Sequence, residues 1–452
     1  MNEYVPITVA VDAGSVAAPA RRPGGARPGW GQRAVLWSFL DQAILSGFSF
    51  ATGIATGRLV GIAEFGKFAI VMIFVTLASV IYDALFTTPM MTLAGHRERS
   101  RSYFGAVVVS GGVGAVMLGV LAGLLFATYN VLSSGSLSLG LAAATGVLIA
   151  TQGIQLVLRR ILFARQKGRL ATAMDLGRYA LFVAFAGVLL MAGGRINAEA
   201  VLWGLALSGV VAAIVSVSTT GILGARLRSR IVLVAARQHW QIARWLVAVA
   251  LVSFSQDHLL WILAAPVLGD AAIGGLRATL YLFGPILVLM GAIENVLPVR
   301  AAAALADEGL VGLKNYLVRF AFPFGAANAA LILLAVLPGA TWLAWLFGPA
   351  YAGYVPVLEI MGVTTAFSMV RNYLVHYFRA IRRTNAIFYS FFSGLIVSIV
   401  LVFPLVHRFG VEGLAIGTVV SQFASMLYLI VAATRHYLRH RPTIGARRPV
   451  RV

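Results

Sequence analysis

The chain has no cysteine, and only 11% of its 452 residues are charged. The absence of cysteine excludes disulfide frameworks, cysteine-ligated zinc, iron–sulfur clusters and thiol nucleophiles. Soluble domains carry about 25% charged residues, so a water-soluble fold of this size would lack the polar groups to cover its surface. The soluble classes are therefore excluded.

Apolar residues make up 60% of the chain, and the mean hydropathy is +0.88. A membrane-spanning helix needs about 20 such residues, and the alternating pattern of a β-barrel would lower the mean hydropathy. We therefore predict an all-α polytopic membrane protein with 12 transmembrane helices. The predicted spans are residues 34–58, 64–93, 102–129, 139–158, 172–193, 198–224, 241–267, 271–299, 315–337, 353–378, 384–406 and 410–434.

Basic residues outnumber acidic ones by 36 to 15, for a formal charge of +21. Few nucleic-acid binders are this apolar, so we expect membrane lipids, and no nucleic acid, as partners of these cations. With the N-terminus in the cytoplasm, the cations concentrate in alternate breaks between spans. The predicted outside segments hold only Arg58, Arg195 and Arg408. This asymmetry follows the positive-inside rule and predicts that both termini are cytoplasmic.

The domain organisation is predicted from the longest break, which lies near the midpoint of the chain. The predicted parts are a disordered cytoplasmic tail at 1–33, a six-helix bundle at 34–225, a cytoplasmic linker at 226–240, a second six-helix bundle at 241–436 and a basic cytoplasmic tail at 437–452. A short internal match supports duplication, because Gly61–Gly66 and Gly269–Gly274 lie 208 residues apart and each opens the second helix of its half. Six spans per half make the halves parallel, pseudo-symmetric repeats.

Several charged residues fall inside the predicted spans, where they are costly and usually face a cavity or a partner. The acids are Asp41, Asp83, Asp257 and Glu294, and the cations are Lys67, Arg277 and Arg371. Asp175 and Arg178 lie one helical turn apart at a span end, and for them we predict a surface or intrahelical pair.

The spacing of polar residues predicts two stripes along helices. One on the second helix comprises Thr76, Ser79, Asp83 and Thr87, and one on the tenth comprises Thr365, Ser368, Asn372, His376 and Arg379, with Arg371 beside them. On the eighth helix, Arg277, Tyr281 and Asn295 share a face, and Glu294 lies about 100° away from it. Serine and threonine alone can serve as hydrogen-bonding glue between helices. Asp83 and Arg371, at the centres of their stripes, predict a water-filled cavity instead.

Motifs of catalysis and metal binding are missing from the sequence. His258 and His376 are single, without a second histidine at metal-ligand spacing, so we expect no metal site. There is no phosphate-binding loop of the Walker type, no Gly-x-Ser-x-Gly elbow and no pair of carboxylates in a polar loop. We predict no catalytic residues and a membrane transporter rather than an enzyme.

Three segments carry a resemblance to a known family: Glu64–Phe68, Trp345–Tyr351 and Phe409–Gly417. Over roughly residues 34–434, the chain resembles the multidrug/oligosaccharidyl-lipid/polysaccharide exporter superfamily, in its Wzx-like polysaccharide flippase branch. The resemblance implies two six-helix bundles around a central cavity that opens alternately to each side. It also implies passage of undecaprenyl-diphosphate-linked oligosaccharides across the bacterial inner membrane, for exopolysaccharide, capsule or O-antigen synthesis. The related lipid II flippases typically have two further C-terminal helices, which argues against that branch.

The resemblance implies roles for the charged residues inside the predicted spans. The substrate cavity is expected to contain Arg371, Arg277, Lys67, Asn372 and Tyr281, because guanidinium groups suit a diphosphate or uronic acid. The residues expected to bind a coupling ion are Asp83, Asp257, Glu294 and Asp41. No cofactor is expected beyond a coupling ion, H⁺ or Na⁺. The expected partners are the lipid-linked oligosaccharide and membrane lipids, with a polysaccharide polymerase or glycosyltransferase complex as a candidate.

Two alternatives stay open at this point. A multidrug/cation antiporter shares the fold, but it expels cationic amphiphiles by means of intramembrane acids, whereas acids and cations are mixed in these spans. A membrane polysaccharide polymerase or ligase would be an enzyme, and such enzymes usually have a sizeable periplasmic loop. The predicted outside loops are short.

Overall fold

The computed structural model describes residues 30–97, 101–165, 167–194, 196–219 and 229–440, and the regular structure in these ranges is helical. The helices are α1 Trp30–Val60, α2 Ile62–Tyr82, α3 Thr88–Arg97, α4 Arg101–Ser134, α5 Leu139–Ala164, α6 Gly168–Met191, α7 Ala198–Thr219, α8 Ser229–Leu268, α9 Asp270–Leu282, α10 Gly284–Val336, α11 Gly339–Leu346, α12 Val355–Ala380 and α13 Thr384–His440. A π-helical turn, Asp83–Thr87, joins α2 to α3, and a 3₁₀ turn, Pro349–Tyr354, precedes α12.

Nine helices in the described ranges are long and apolar enough to cross a membrane, or ten if α9 and the first turns of α10 form one broken span. Helix α1 contributes a further apolar segment, Ile44–Val60, among the residues whose side chains the structure describes. The chain is therefore an all-helical, multi-pass membrane protein, as its composition predicts. The predicted number of twelve spans and the cytoplasmic position of both termini stay predictions.

Helix α13 is a hairpin rather than one straight helix. Its 57 residues would extend about 85 Å at 1.5 Å per residue, but the chain turns at Gly410, where φ is 60°. Ser390 Oγ donates to the carbonyl of Ser425 at 2.8 Å, and Ser425 Oγ donates to the carbonyl of Ser390 at 2.9 Å. The two arms thus lie antiparallel, and the turn falls at the predicted boundary between two spans.

Helix α10 contains a similar break at Gly309, where φ is 68°. Only glycine adopts such positive φ values without a steric cost, because it has no Cβ. The break lies between the predicted spans 271–299 and 315–337. The sequence therefore predicted its place, although the helical turns on either side extend further than predicted.

The helices pack into two compact units. Unit 1 contains α1 to α9 together with residues 340–355, and unit 2 contains α10, α12 and α13. Part of the predicted linker at 226–240 is helical, since its residues from Ser229 onward belong to α8. Of the predicted tails, residues 1–29 and 441–452 lie outside the described residues.

Tyr82 lies at the centre of a buried cluster in unit 1. Its side chain is 2% exposed, and it packs among residues of α4 and α5. Small residues make room for it, because a Cβ at Gly111 or Gly153 would lie about 3 Å from atoms of the tyrosine ring or hydroxyl. The π-turn that follows Tyr82 packs mainly on α8, where Ala84 and Leu246 belong to one buried cluster.

Candidate functional site

The starts of α2 and α9 cross in unit 1 through a reciprocal backbone contact. Gly61 and Gly269, the residues before the two helices, both have φ of 81°. A Cβ at Gly66 would overlap the carbonyl oxygen of Asp270, and a Cβ at Gly274 would overlap the carbonyl oxygen of Ile62. The contacting pairs are related by the same offset of 208 residues. The two segments of the internal match therefore form equivalent structures that pack on each other.

A cluster of charges lies at this crossing. Lys67 Nζ is 2.7 Å from Glu64 Oε1, and Glu64 Oε2 accepts a hydrogen bond from the N–H of Ala198 at 3.0 Å. Ala198 is the first residue of α7, where the helix dipole favours a carboxylate. Asp270 interacts electrostatically with both Lys67 and Glu64. Lys67, predicted as a cavity residue, is thus half of an ion pair.

Aromatic side chains surround the same crossing. The ring of Phe65 lies 5.9 Å from that of Phe347 and 6.3 Å from that of Tyr351. Tyr351 Oη donates to the carbonyl of Gly57 in α1 at 2.8 Å. The first two of the three segments that carry the family resemblance therefore meet in one aromatic cluster. Their aromatic residues and glycines hold the helix ends together.

Arg277 and Tyr281 lie together on one face of α9, as their spacing predicts. Arg277 is 8% exposed, and its Cζ lies 5.3 Å from the centre of the Tyr281 ring. The ring also contacts Phe347 at 6.1 Å between centroids. A Cβ at Gly53 would overlap the Tyr281 ring, so this glycine makes the room on α1. The structure thus holds a guanidinium group against an aromatic face inside unit 1.

Asp83 begins the π-turn, where the helix widens by one residue. The hydroxyl of Thr87 donates to one carboxylate oxygen of Asp83, and the hydroxyl of Thr88 lies 3.4 Å from the other. Single π-turns inside α-helices frequently mark functional sites. The polar stripe predicted along this helix contains both Asp83 and Thr87, which are in contact. The contact of Asp83 with Thr88 arises from the extra residue of the π-turn, and helical spacing alone did not predict it.

For the other residues predicted to bind a coupling ion, the structure describes fewer contacts. Asp257 is half-buried in α8, where the ring of its neighbour His258 packs on Phe254 at 4.8 Å. The side chains of Asp41 and Glu294 lie outside those that the structure describes.

Arg371 in α12 is buried within unit 2 and contacts several polar and aromatic side chains. It is 5% exposed, and its Nη1 donates to Gln422 Oε1 at 2.6 Å. Its Nη2 donates to Asn372 Oδ1 at 3.3 Å, and its Cζ lies 4.8 Å from the ring of Phe391. Two carboxamides and an aromatic face therefore orient the guanidinium group. The sequence paired Arg371 with Asn372 but did not reveal Gln422 or Phe391.

A second buried network, in unit 1, corrects the predicted pairing of Asp175 with Arg178. Asp175 Oδ2 lies 3.2 Å from Arg159 Nε, while Arg178 Nη1 donates to Gln155 Oε1 at 2.6 Å. Asp175 and Arg178 are 8% and 9% exposed, so the expectation of a surface pair was wrong. The signal was present, because Gln155 and Arg159 are four residues apart and so form a polar face on α5.

Comparison of the sequence with family models finds no match, and comparison with curated proteins finds none either. Comparison of the fold finds clear likenesses among solved structures. An inward-facing multidrug resistance transporter of the MATE family and MOP superfamily has a TM-score of 0.66 and 16% identity, over 90% of this chain and 100% of that one.

Two further structures show the same likeness. A MOP superfamily transporter from Pyrococcus furiosus has a TM-score of 0.60 and 15% identity, over 91% of this chain and 96% of that one. The lipid II flippase MurJ, in an inward closed conformation, has a TM-score of 0.63 and 13% identity, over 88% and 87% of the two chains. The chain therefore shares the fold of these transporters, as the resemblance implies.

Proposed function

We propose that this protein flips undecaprenyl-diphosphate-linked oligosaccharides across the bacterial inner membrane by alternating access, in the manner of the Wzx-like branch. The observation that carries the proposal is the buried and oriented guanidinium group of Arg371 inside a transporter fold. The product would serve exopolysaccharide, capsule or O-antigen synthesis. We propose transport without a chemical step, because the solved structures that share the fold are transporters or flippases.

The energetics of Arg371 support an anionic substrate. An arginine at the centre of a membrane helix costs about 2.5–3.5 kcal/mol even on insertion scales. Gln422 and Asn372 accept hydrogen bonds from the guanidinium group and orient it. A diphosphate or a uronic acid binds a guanidinium fork with two parallel hydrogen bonds, and a low dielectric strengthens that contact.

Substitution of Arg371 tests the proposal. We expect both Arg371→Ala and Arg371→Lys to stop export of lipid-linked saccharide at unchanged protein levels, because lysine cannot reproduce the fork. Arg383→Lys, at an exposed cation just beyond α12, is the matched control and should export normally. Export at the wild-type rate by the alanine variant would remove Arg371 from the substrate site.

Multidrug efflux is the second candidate, because the fold is shared with a MATE multidrug transporter. Such an activity needs a site for a cation, and the buried positive charge of Arg371 opposes the binding of a cation beside it. Expression in cells that lack their own efflux pumps should leave resistance to cationic amphiphiles unchanged. Resistance that rises and depends on Asp83 would favour the antiporter.

Ion coupling is proposed to depend on Asp83, with Asp257 as a further candidate. A carboxylate at a π-turn can bind H⁺ or Na⁺ and release it when the turn changes shape. We expect Asp83→Asn to abolish transport while expression and folding stay intact. Transport at the wild-type rate would show that the Thr87 and Thr88 contacts of Asp83 serve the structure alone.

The proposed topology has twelve crossings with both termini in the cytoplasm. The breaks at Gly309 and Gly410 support it, because each divides one long helix into two arms of spanning length. Reporter fusions at Tyr129 and Gly339 should report the periplasm, and fusions at Lys167 and Ser229 the cytoplasm. One reversed reporter would overturn the topology.

We also propose that the crossing of α2 and α9 opens during the cycle, because α2 belongs to the first predicted six-helix bundle and α9 to the second. Because the chain has no cysteine, a pair of introduced thiols can be crosslinked without background. We expect a bifunctional thiol reagent to stop transport in the double variant Lys67→Cys, Asp270→Cys, and to have no effect on either single variant. Full transport by the crosslinked protein would show that the crossing stays closed.

A further inference from the structure

Helix α8 is much longer than a membrane span. Its 40 residues extend about 60 Å, roughly twice the hydrocarbon thickness of a bilayer. His239 Nε2 lies 3.0 Å from the hydroxyl of Tyr103, which is the third residue of α4. The first turns of α8 therefore lie level with the start of α4, where the predicted topology places the cytoplasmic boundary of the membrane.

These first turns bury one face against the rest of unit 1. Ala235, His239 and Ala243 follow one another at intervals of four residues and are 2%, 3% and 0% exposed. Ala235 belongs to the buried cluster that contains Tyr103 and Tyr82. The orientation of α8 is thus set by packing, and the opposite face is turned away from unit 1.

The opposite face is a stripe of alternating apolar and cationic side chains. Leu233, Arg237, Trp240 and Arg244 follow at intervals of four, three and four residues, and so lie within about 60° of one another around the helix. All four are exposed, Leu233 at 71% and Trp240 at 59%. Between Ser229 and Trp245 the sequence contains no acidic residue, so every charged side chain in this part of α8 is positive.

The chemistry of the stripe fits one layer of the membrane. Tryptophan concentrates at the headgroup level, where its ring meets the acyl chains and its N–H meets polar groups. Arginine beside a membrane span is attracted to anionic lipids, and its fork matches a phosphate. A headgroup layer presents apolar and anionic groups side by side, which matches the alternation of leucine and tryptophan with arginine along this face.

We propose that the stripe of Leu233, Arg237, Trp240 and Arg244 binds anionic phospholipids of the cytoplasmic leaflet. Binding on this face holds the first turns of α8 at the level of the headgroups, opposite the face that packs on α4. The inference does not depend on which substrate is transported, so it and the proposed function can fail separately.

Fluorescence quenching tests the binding with the full-length protein in vesicles. Vesicles contain either brominated phosphatidylglycerol or brominated phosphatidylcholine at the same mole fraction in unlabelled phosphatidylcholine. The fluorescence of Trp240 is obtained by subtracting the emission of the Trp240→Phe variant from that of the wild type. We expect the anionic lipid to quench Trp240 more strongly, and Arg237→Gln with Arg244→Gln to bring the two lipids to equal quenching. Each arginine should contribute roughly fivefold to the preference for the anionic lipid.

The control is Arg408→Gln, an exposed arginine on the predicted outer side, which should keep the wild-type preference. The single variants Arg237→Gln and Arg244→Gln alter exposed side chains and should each lose part of the preference, so the test does not rest on the double variant. Equal quenching by both lipids in the wild type would overturn the proposal. The absence of Trp240 quenching by either lipid would overturn it as well, and would indicate a protein partner on this face.

Discussion

The starts of α2 and α9 have the same backbone but different side chains. In both, a glycine with φ of 81° precedes the helix, and a second glycine five residues later packs on a carbonyl of the other helix. At positions equivalent to Glu64 and Lys67, however, α9 has Ala272 and Gly275. One copy carries an ion pair that also caps α7, and the other carries neither charge.

The reason for the difference lies in what each copy packs against. A Cβ at Gly275 would overlap the ring of Tyr354, whose hydroxyl donates to the carbonyl of Ala271 at 3.1 Å. At the backbone contact no side chain fits in either copy, so both keep glycine. Outside the contact the copies have different neighbours, and their side chains have diverged accordingly.

The largest expected effect is at the two contact glycines. Gly66→Leu and Gly274→Leu place a side chain where a backbone carbonyl lies, and we expect each to destabilise the closed crossing by about 3 kcal/mol, the upper end of what overpacking typically costs. Yield and thermal unfolding in detergent measure this. Gly177→Leu and Gly187→Leu are matched controls, because a Cβ at either helical glycine meets nothing within 4 Å. Tolerance of leucine at only one contact glycine would show that the crossing is not reciprocal.

The next effect concerns the glycines that precede the helices. Gly61 has φ of 81° and ψ of 166°, a region that is essentially restricted to glycine. We expect Gly61→Ala and Gly269→Ala to destabilise the protein equally, by about 1–3 kcal/mol each. Thermal unfolding of the two variants side by side checks this, and a large inequality would contradict the equivalence of the two starts.

A smaller effect is expected where the copies differ. Gly275→Ala should displace the Tyr354 ring and break its hydrogen bond to Ala271, at a cost of about 1 kcal/mol. In a protein that already carries Tyr354→Ala, the same substitution should cost less. Equal costs in both backgrounds would mean that Tyr354 is not what keeps residue 275 small.

The smallest effect is expected at the ion pair. The side chains of Lys67 and Glu64 are 42% and 31% exposed, and exposed pairs contribute about 0–1 kcal/mol. Lys67→Met should therefore change the unfolding temperature little, whereas Glu64→Ala should cost more because it also removes the acceptor for Ala198. A larger loss from Lys67→Met than from Glu64→Ala would assign the stabilisation to the lysine instead.

The two buried arginine–glutamine pairs show which contacts residue spacing can predict and which it cannot. Spacing predicted that Arg371 and Asn372 share a site, and it placed Arg178 near Asp175. It did not predict Gln422, which is 51 residues from Arg371, and it assigned Arg178 the wrong partner. Helical periodicity tells which face of a helix a residue occupies, but not which other helix meets that face.

The composition and the hydropathy pattern are sufficient to assign the environment and the outline of the fold. Because 60% of the residues are apolar and 11% charged, only the interior of a bilayer could accommodate most of the chain, and glycines such as Gly410 lie where it must turn. The tertiary structure alone decided the partners of the polar groups, such as Gln155 for Arg178 and Ala198 for Glu64. Burial in the membrane constrains each residue separately, whereas a hydrogen bond between helices needs two residues brought within about 3 Å by the packing of everything around them.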